Sequence, residues 1–306
     1  MDILGLGNSW PSWCCYNRRA LHLQVGIEPR NGATAGAWEA AFYILNVPMK
    51  PWSKTYWSLV WELTRTEFKL RDQGTFLGFL WTLLHPAIMF AVTYAVFVKW
   101  FGNHVPQYGS YLLIGIVQWQ FFDKATTTGF SNLRRKAGLI KNFSFASEIT
   151  VIASVGSVFL SYVFETAVLL ILISVCGVPL SPAWLALPLQ MAALLSLSLA
   201  IALVLALLSV EFQDMERTWS VLITAGIYLT PVYYPLSVIS PKFHPYMKLN
   251  PMLHVIMGFR SSLLPDATPY LLRPAIILAG SLAVVFASIA VFQKRALAIS
   301  DRIILP

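Results

Sequence analysis

Apolar residues along this chain gather in long runs rather than in short alternating ones. A helix needs about 20 mostly apolar residues to cross the hydrocarbon core of a bilayer. Six windows meet that length: 76–98, 110–131, 149–176, 184–210, 219–239 and 272–292. Asp123 and Lys124 interrupt the second window, and the third and fourth are long enough to tilt. Pro86, Pro188 and Pro231 fall in or near these windows, where membrane helices accept proline if neighbours re-satisfy the freed carbonyls. The pattern predicts an all-α membrane protein with six transmembrane helices.

Residues 53–72 carry a different pattern. Ser53 can cap a helix start, and Trp57, Val60, Trp61, Thr64 and Phe68 recur at helical spacing on one face. Glu62, Arg65, Thr66, Lys69 and Asp72 fill the remainder. This predicts an amphipathic helix lying in the headgroup plane before the first span; packing of the same face on protein is the alternative. After the fifth window, residues 240–271 are broken by His244-Pro245-Tyr246 and Asn250-Pro251, and Met252–Leu264 is apolar. Short re-entrant or outer-leaflet helices are expected there, shielded by protein or water.

The first 52 residues fit neither pattern. They hold Trp10-Pro11, Arg18-Arg19 and Pro29-Arg30, and the apolar piece Ala37–Val47 contains Glu39 and is too short to span. They lack the order of a secretory signal. Residues 1–52 are expected to be a poorly ordered cytoplasmic extension, with 53–302 as the transmembrane domain. Met49 is an alternative first residue of the translated chain.

Composition strengthens the membrane reading. Hydrophobic residues make up 57% of the 306 residues and charged ones 12%, against about 25% charged in soluble domains. Mean hydropathy is +0.64. The net charge of +8 comes from cations beside the apolar runs, which suits a membrane surface better than nucleic acid. Arg134, Arg135, Lys136 and Lys141 lie between the second and third windows, and Lys294, Arg295 and Arg302 follow the last. Loops 101–109 and 177–183 have no Lys or Arg. The alternation predicts both termini in the cytoplasm. Loop 240–271, with Lys242, Lys248 and Arg260, is assigned outside and weighs less because it is long. Cys14, Cys15 and Cys176 form no metal or disulfide spacing.

An ordered set of short motifs then resembles a known family. Leu70-Arg71-Asp72-Gln73, Leu77-Gly78-Phe79-Leu80-Trp81 and His85-Pro86 resemble the signature around the first span of polysaccharide-export permeases of the ABC-2 type. Phe122-Asp123, Leu139-Ile140-Lys141, Phe212-Gln213-Asp214, Thr230-Pro231-Val232-Tyr233-Tyr234-Pro235 and Leu249-Asn250-Pro251-Met252 follow in order, with Arg260 beyond them. The resemblance covers about residues 53–302. Gln213 stands where members usually carry Arg, and Gln73-Gly74-Thr75 replaces a more basic stretch. The resemblance implies a homodimer enclosing a channel for O-antigen, capsule or teichoic-acid chains. It also implies a separate ATP-binding cassette subunit that holds the Mg-ATP. No Gly-x-x-x-x-Gly-Lys-Ser/Thr loop occurs in this chain, so no cofactor, and no hydrolysis, is expected here. The bacterial cytoplasmic membrane is the expected location.

Residues divide into three expected roles. Arg134, Arg135, Lys136 and Lys141, with Glu62, Arg65 and Glu67 of the amphipathic helix, are candidates for contact with the ATPase, although topology alone also calls for cations there. Trp81, Tyr94, Trp119, Tyr162, Tyr228, Tyr233 and Tyr234 are candidates for the channel, because aromatic faces stack on sugar C–H groups; interfacial belts use the same residues. Glu165 sits inside the third window, and an intramembrane carboxylate marks a functional or paired position. Lys99 and Lys124 are expected to snorkel from span ends. His244, Asn250 and Arg260 are candidates for an outer gate, and Asn250 also reads as a helix cap.

Two rival readings use the same chain. A secondary transporter would show repeated halves and an ion site, and no internal repeat is visible. A membrane-embedded glycan or acyl transferase would gather an acid–base or metal set at one face, whereas His85, His104 and His244 are scattered.

Overall fold

The computed structural model describes residues 53–72, 76–102, 105–136, 146–179, 181–212, 214–264 and 270–294. Among them run helices α1 (Lys54–Asp72), α2 (Phe76–Phe101), α3 (Tyr108–Arg135), α4 (Ser147–Val175), α5 (Leu187–Glu211), α6 (Met215–Leu229), α7 (His244–Met247), α8 (Pro251–Leu263) and α9 (Leu272–Lys294). A 3-10 turn, Pro182–Ala186, leads into α5, and two more, Leu236–Val238 and Pro241–Phe243, precede α7. The N-terminal extension 1–52, including Met49, lies outside the described residues.

Among the described residues, three helical stretches are long and apolar enough to cross a membrane: Ser147–Val175, Pro182–Glu211 and Leu272–Lys294. Even the 23 residues of α9 give a length of about 35 Å at 1.5 Å per residue, beyond the roughly 30 Å hydrocarbon core. The protein is therefore a multi-pass membrane protein. The α4 helix stops at a Gly-based cap. Gly177 has φ 89°, Val178 N–H donates to Ile173 O at 3.1 Å, and Gly177 N–H donates to Ser174 O at 3.1 Å. A side chain at this left-handed position would be strained.

The bundle is built around α3. Leu112, Ile114, Ala125 and Leu133 are fully enclosed, and Phe121 and Phe130 nearly so. Helices α2, α4 and α5 pack against α3, and α9 packs along α5. Enclosure explains why the corresponding sequence window is the least apolar. A helix surrounded by protein can carry Ser110, Gln118 and Thr126, all buried here, because neighbours rather than lipid meet them. By contrast, α9 buries only a stripe, Pro274, Ser281, Val285, Ser288 and Phe292. Hydroxyls bind the helices together: Ser196 and Ser281 share a hydrogen bond at 2.6 Å, and Gln190 Nε2 donates to Ser262 Oγ at 2.6 Å.

The fifth hydrophobic window is not one helix. The α6 helix has 15 residues and ends at Leu229, about 22 Å at the α-helical rise. Pro231 and Pro235 explain the stop, since neither has an N–H to continue the ladder and each disfavours helix in the residue before it. Farther on, the expected helix at Met252–Leu264 appears as Pro251–Leu263. Phe122-Asp123 lies inside α3.

Helix α1 forms where Ser53 caps it, Tyr56 N–H donating to Ser53 Oγ at 3.1 Å. No Gly or Pro interrupts residues 54–72. Its buried stripe is Tyr56, Val60 and Thr64, packed on α4 against Ile149 and Gly156. Burying Val60 contributes about 1.5–3 kcal/mol. Trp57 and Trp61, 51% and 56% exposed, point away from the protein.

Candidate functional site

The chain break after α6 is held from several sides. Arg260, on α8 and 6% exposed, donates from Nη1 to Pro231 O at 2.8 Å, from Nη2 to Val232 O at 2.7 Å and from Nε to Tyr111 O at 3.2 Å. Its guanidinium also lies 3.4 Å from the Tyr111 ring centroid. Tyr108 Oη donates to Tyr233 O at 2.7 Å, and Tyr111 Oη donates to Tyr234 O at 3.3 Å. Asn250 caps α8 by accepting from Met252 N–H at 3.0 Å, while its Nδ2 donates to Thr230 Oγ1 at 2.7 Å. Successive carbonyls from Pro231 to Tyr234 are thus satisfied by side chains of α3 and α8, which replaces the helical ladder that the prolines remove.

Space for the guanidinium comes from Gly115. A Cβ there would sit 2.6 Å from Arg260 Nη2 and 3.0 Å from Val232 O. Farther along, the His244 Nε2 lies 3.1 Å from Leu236 O and 3.0 Å from Ile239 O, which ties down the 3-10 turn Leu236–Val238. His254, 7% exposed, has Nε2 2.7 Å from Lys248 O and Nδ1 2.6 Å from Tyr270 Oη. The carbonyl requires a proton on Nε2, so neutral His254 accepts from Tyr270. Burial holds its pKa below the usual imidazole range, against the Lys248 carbonyl, which raises it.

Aromatic rings continue from this break into α2 and α3. Tyr233 stacks on Phe97 at 5.9 Å and meets Tyr228 at 5.9 Å. Tyr94 stacks on Phe90 at 5.5 Å and on Tyr108 at 6.3 Å. Tyr234 Oη donates to Tyr228 O at 2.5 Å. Tyr228, 63% exposed, and Tyr94, 37% exposed, end the cluster at the surface. Trp119 takes a different place. It is buried and faces Gly226, and with Trp219, Ile223 and Leu197 it lines an apolar cavity of about 250 Å³ between α3, α5 and α6.

Polar groups meet in mid-bundle. Lys124 Nζ donates to Glu165 Oε1 at 3.2 Å, with the lysine side chain 36% and the carboxylate 5% exposed. Lys124 therefore pairs across α3 and α4 rather than snorkelling from a span end. Tyr162, fully enclosed, donates to Gln118 Oε1.

At the opposite end of α3, Lys136 pairs with Glu67 of α1. Asn132 Nδ2 donates to Glu67 Oε2 at 3.4 Å and to Ser154 Oγ at 2.8 Å, and Ser154 Oγ donates to Glu67 Oε1 at 3.1 Å. Glu62, Arg65 and Arg135 are exposed nearby on α1 and α3. Lys141 and the side chains of Trp81 and Arg134 lie outside the described residues.

The structure thus joins Tyr94, Tyr228, Tyr233 and Tyr234 in one neighbourhood with Asn250 and Arg260; Trp119 borders it through the cavity that Thr230 and Asn250 also line, and Tyr162 and Glu165 lie apart, paired with Gln118 and Lys124. Sequence reading missed Tyr108, Tyr111, Gln118 and Trp219. The signal for the first two was present: tyrosines three apart at the start of a helix share a face. Among the described residues no group of three metal-ligating side chains occurs.

Comparison with known proteins places this architecture. The family model described as ABC-2 type transporter matches residues 58–264. The O-antigen export system permease protein RfbA of Myxococcus xanthus is 27% identical over 248 residues, covering 78% of this chain and 93% of that protein. The protein of the same name from Klebsiella pneumoniae is 25% identical over 199 residues, covering 65% and 77%. The polysialic acid transport protein KpsM of Escherichia coli is 22% identical over 192 residues, covering 62% and 74%. The family match takes in more than half of the chain and runs from α1 through the broken segment to the end of α8, and on that ground the chain belongs to the ABC-2 type transporter family.

Proposed function

We propose that this chain is the permease subunit of an ATP-driven exporter that moves a lipid-linked, O-antigen-like polysaccharide across the bacterial cytoplasmic membrane. The observation that carries the reading is similarity over nearly the whole length of a protein named as an O-antigen export permease. The ABC-2 type family supports a partner of the ATP-binding cassette class, and the absence of a phosphate-binding loop from this sequence fits a division of labour in which the partner binds Mg-ATP.

In this reading α2 and α3 also cross the bilayer, and α6 with the broken segment after it makes the remaining passage. That gives six passages, with both termini cytoplasmic and the α6–α8 break at the outer face. Helix α1 then lies along the cytoplasmic headgroups, its exposed Trp57 and Trp61 entering the boundary. Two copies enclose the path of the glycan. Tyr94, Tyr228, Tyr233 and Tyr234 offer it aromatic faces and hydroxyls without reading its sequence. His244, Asn250 and Arg260 brace the outer gate. Exposed Glu62, Arg65 and Arg135 meet the ATPase, where rim charges govern recognition more than affinity.

The test is reconstitution in proteoliposomes with a candidate ATP-binding cassette subunit. ATP-dependent movement of a lipid-linked glycan is expected. Movement driven by an ion gradient without that subunit would favour a secondary transporter, and turnover of a donor sugar or acyl group would favour a transferase.

A further inference from the structure

The charged residues at the α1 end of the bundle divide by what they face. Glu62, Arg65 and Arg135 are exposed, whereas Glu67 is turned inward. It continues the buried stripe of α1: Tyr56, Val60, Thr64 and Glu67 follow one another at steps of four, four and three. A carboxylate on such a stripe must be compensated. Its side chain is 12% exposed, and its partners come from two other helices: Ser154 of α4, and Asn132 and Lys136 at the end of α3. Asn132 and Lys136 are themselves one turn apart, so a single face of α3 presents both donors. The single Ser154 hydroxyl proton is shared between Glu67 Oε1 and Thr150 O, the latter at 2.8 Å, which holds the hydroxyl close to α4.

Helix α1 packs chiefly along α4. Among the described residues, the hydrogen bonds that join α1 to α3 both end on Glu67. The far end of α3 carries Tyr108 and Tyr111, which hold the broken segment. One rigid helix thus links the Glu67 clasp to the clamp at the opposite end.

We infer that Glu67 is a positioning residue for energy coupling: it locks α1 to the end of α3, so that the two move together when the ATPase acts on that end. This rests on the function proposed above. Glu67 and Lys136 act on each other and do not recognise the ATPase, unlike Arg65 and Arg135, which face out.

The test uses the full chain reconstituted with its ATPase subunit, and reads affinity for that subunit separately from stimulated ATP hydrolysis at saturation. Glu67→Gln and Lys136→Met leave affinity unchanged and lower stimulation by about two- to thirtyfold, the range in which coupling residues act. The exchange Glu67→Lys with Lys136→Glu restores most of it. Arg65→Ala lowers affinity. Full stimulation in Glu67→Gln, or an exchange no better than the single variants, overturns the inference. A second arm covers failure of those variants to fold. In a chain with Cys14, Cys15 and Cys176 replaced by Ser, Glu67→Cys and Lys136→Cys are joined by a short bismaleimide. Hydrolysis and export persist if the two positions move as one, and loss on joining overturns the inference. If the unaltered chain neither binds nor stimulates the ATPase, the proposed function fails instead.

Discussion

Arg260 Nη2 donates to the Val232 carbonyl at 2.7 Å, and the same guanidinium rests 3.4 Å from the centroid of Tyr111. Helix α8 is in this way fastened to a chain break and to the central helix at once. Arg260→Met removes the donor from three backbone carbonyls, and each buried group left unsatisfied costs about 1–3 kcal/mol. Arg260→Lys keeps the charge but loses the planar fork that meets several acceptors together. Thermal unfolding of the purified protein should rank the original chain above Arg260→Lys and Arg260→Lys above Arg260→Met. A Met variant that melts with the original chain would remove the clamp from the account.

Gly115 has a counterpart role, since the guanidinium occupies the place of its missing side chain. Gly115→Ala should destabilise by about 1–3 kcal/mol, as overpacking does in closed interiors. In an Arg260→Lys background the slimmer ammonium leaves room, so the two changes should cost less together than their sum. A double-mutant cycle in thermal or denaturant unfolding measures the difference.

Much of this was legible in one dimension. The windows 149–176, 184–210 and 272–292 coincide with helical stretches Ser147–Val175, Pro182–Glu211 and Leu272–Lys294, because lipid-facing helices must be apolar along their length. Ser53 and Asn250 act as the caps their residue types suggested. The window 219–239 misled because hydropathy counts Val232 and Leu236 but not the hydrogen bonds that Pro231 and Pro235 cannot make. Glu165 showed no cation nearby in sequence, yet Lys124, 41 positions earlier, reaches it from α3. Glu67 and Lys136, both read as contacts for a partner, meet across 69 positions. Pairings between helices depend on rotation about each axis, which a hydrophobic pattern sets only to within a face.

The Lys124–Glu165 pair predicts unequal effects for its two halves. Glu165 is 5% exposed and Lys124 is 36% exposed. Lys124→Met strips the cation from an enclosed carboxylate, at up to about 3–5 kcal/mol for a fully buried pair and less here. Glu165→Gln leaves an ammonium whose long stem can reach a wetter region. Melting temperature should fall more for Lys124→Met than for Glu165→Gln, and Lys124→Met with Glu165→Gln should recover part of the loss. The reverse order would mean that the lysine, not the carboxylate, is the enclosed charge.

His254 predicts a pH effect at the α8 end. Burial chiefly, with Lys248 and Arg273 adding to it, disfavours its protonation, although the Lys248 carbonyl partly offsets this. Its folded pKa lies below that of the unfolded chain, so its contribution to stability is complete above the unfolded value. That contribution is lost as pH falls through the folded value. Melting temperature should therefore drop on mild acidification, and the drop should shrink in His254→Gln. Equal pH dependence in both proteins would assign the effect elsewhere.

The contact between Gly156 and Thr64 tests whether docking of α1 governs the clasp at its end. A Cβ on residue 156 would lie 3.1 Å from Thr64 Oγ1 and 3.2 Å from Thr64 Cγ2. Thr64 cannot turn away freely, because its hydroxyl donates to Val60 O at 2.7 Å. Gly156→Ala should therefore lift α1 slightly from α4, and Gly156→Val should lift it further, as β-branching adds two methyl groups beyond the Cβ. Glu67 lies on the same stripe one turn away, so its hold on Lys136 should loosen with the helix. The rate of bismaleimide cross-linking in chains carrying both Glu67→Cys and Lys136→Cys reads that separation directly. Joining should be fastest with Gly156 intact, slower with Gly156→Ala and slowest with Gly156→Val. Thr64→Ala should restore the rate in the Gly156→Ala chain, since removing Oγ1 and Cγ2 clears the contact. If joining is equally fast in all of them, the spacing between positions 67 and 136 does not depend on how closely α1 docks on α4.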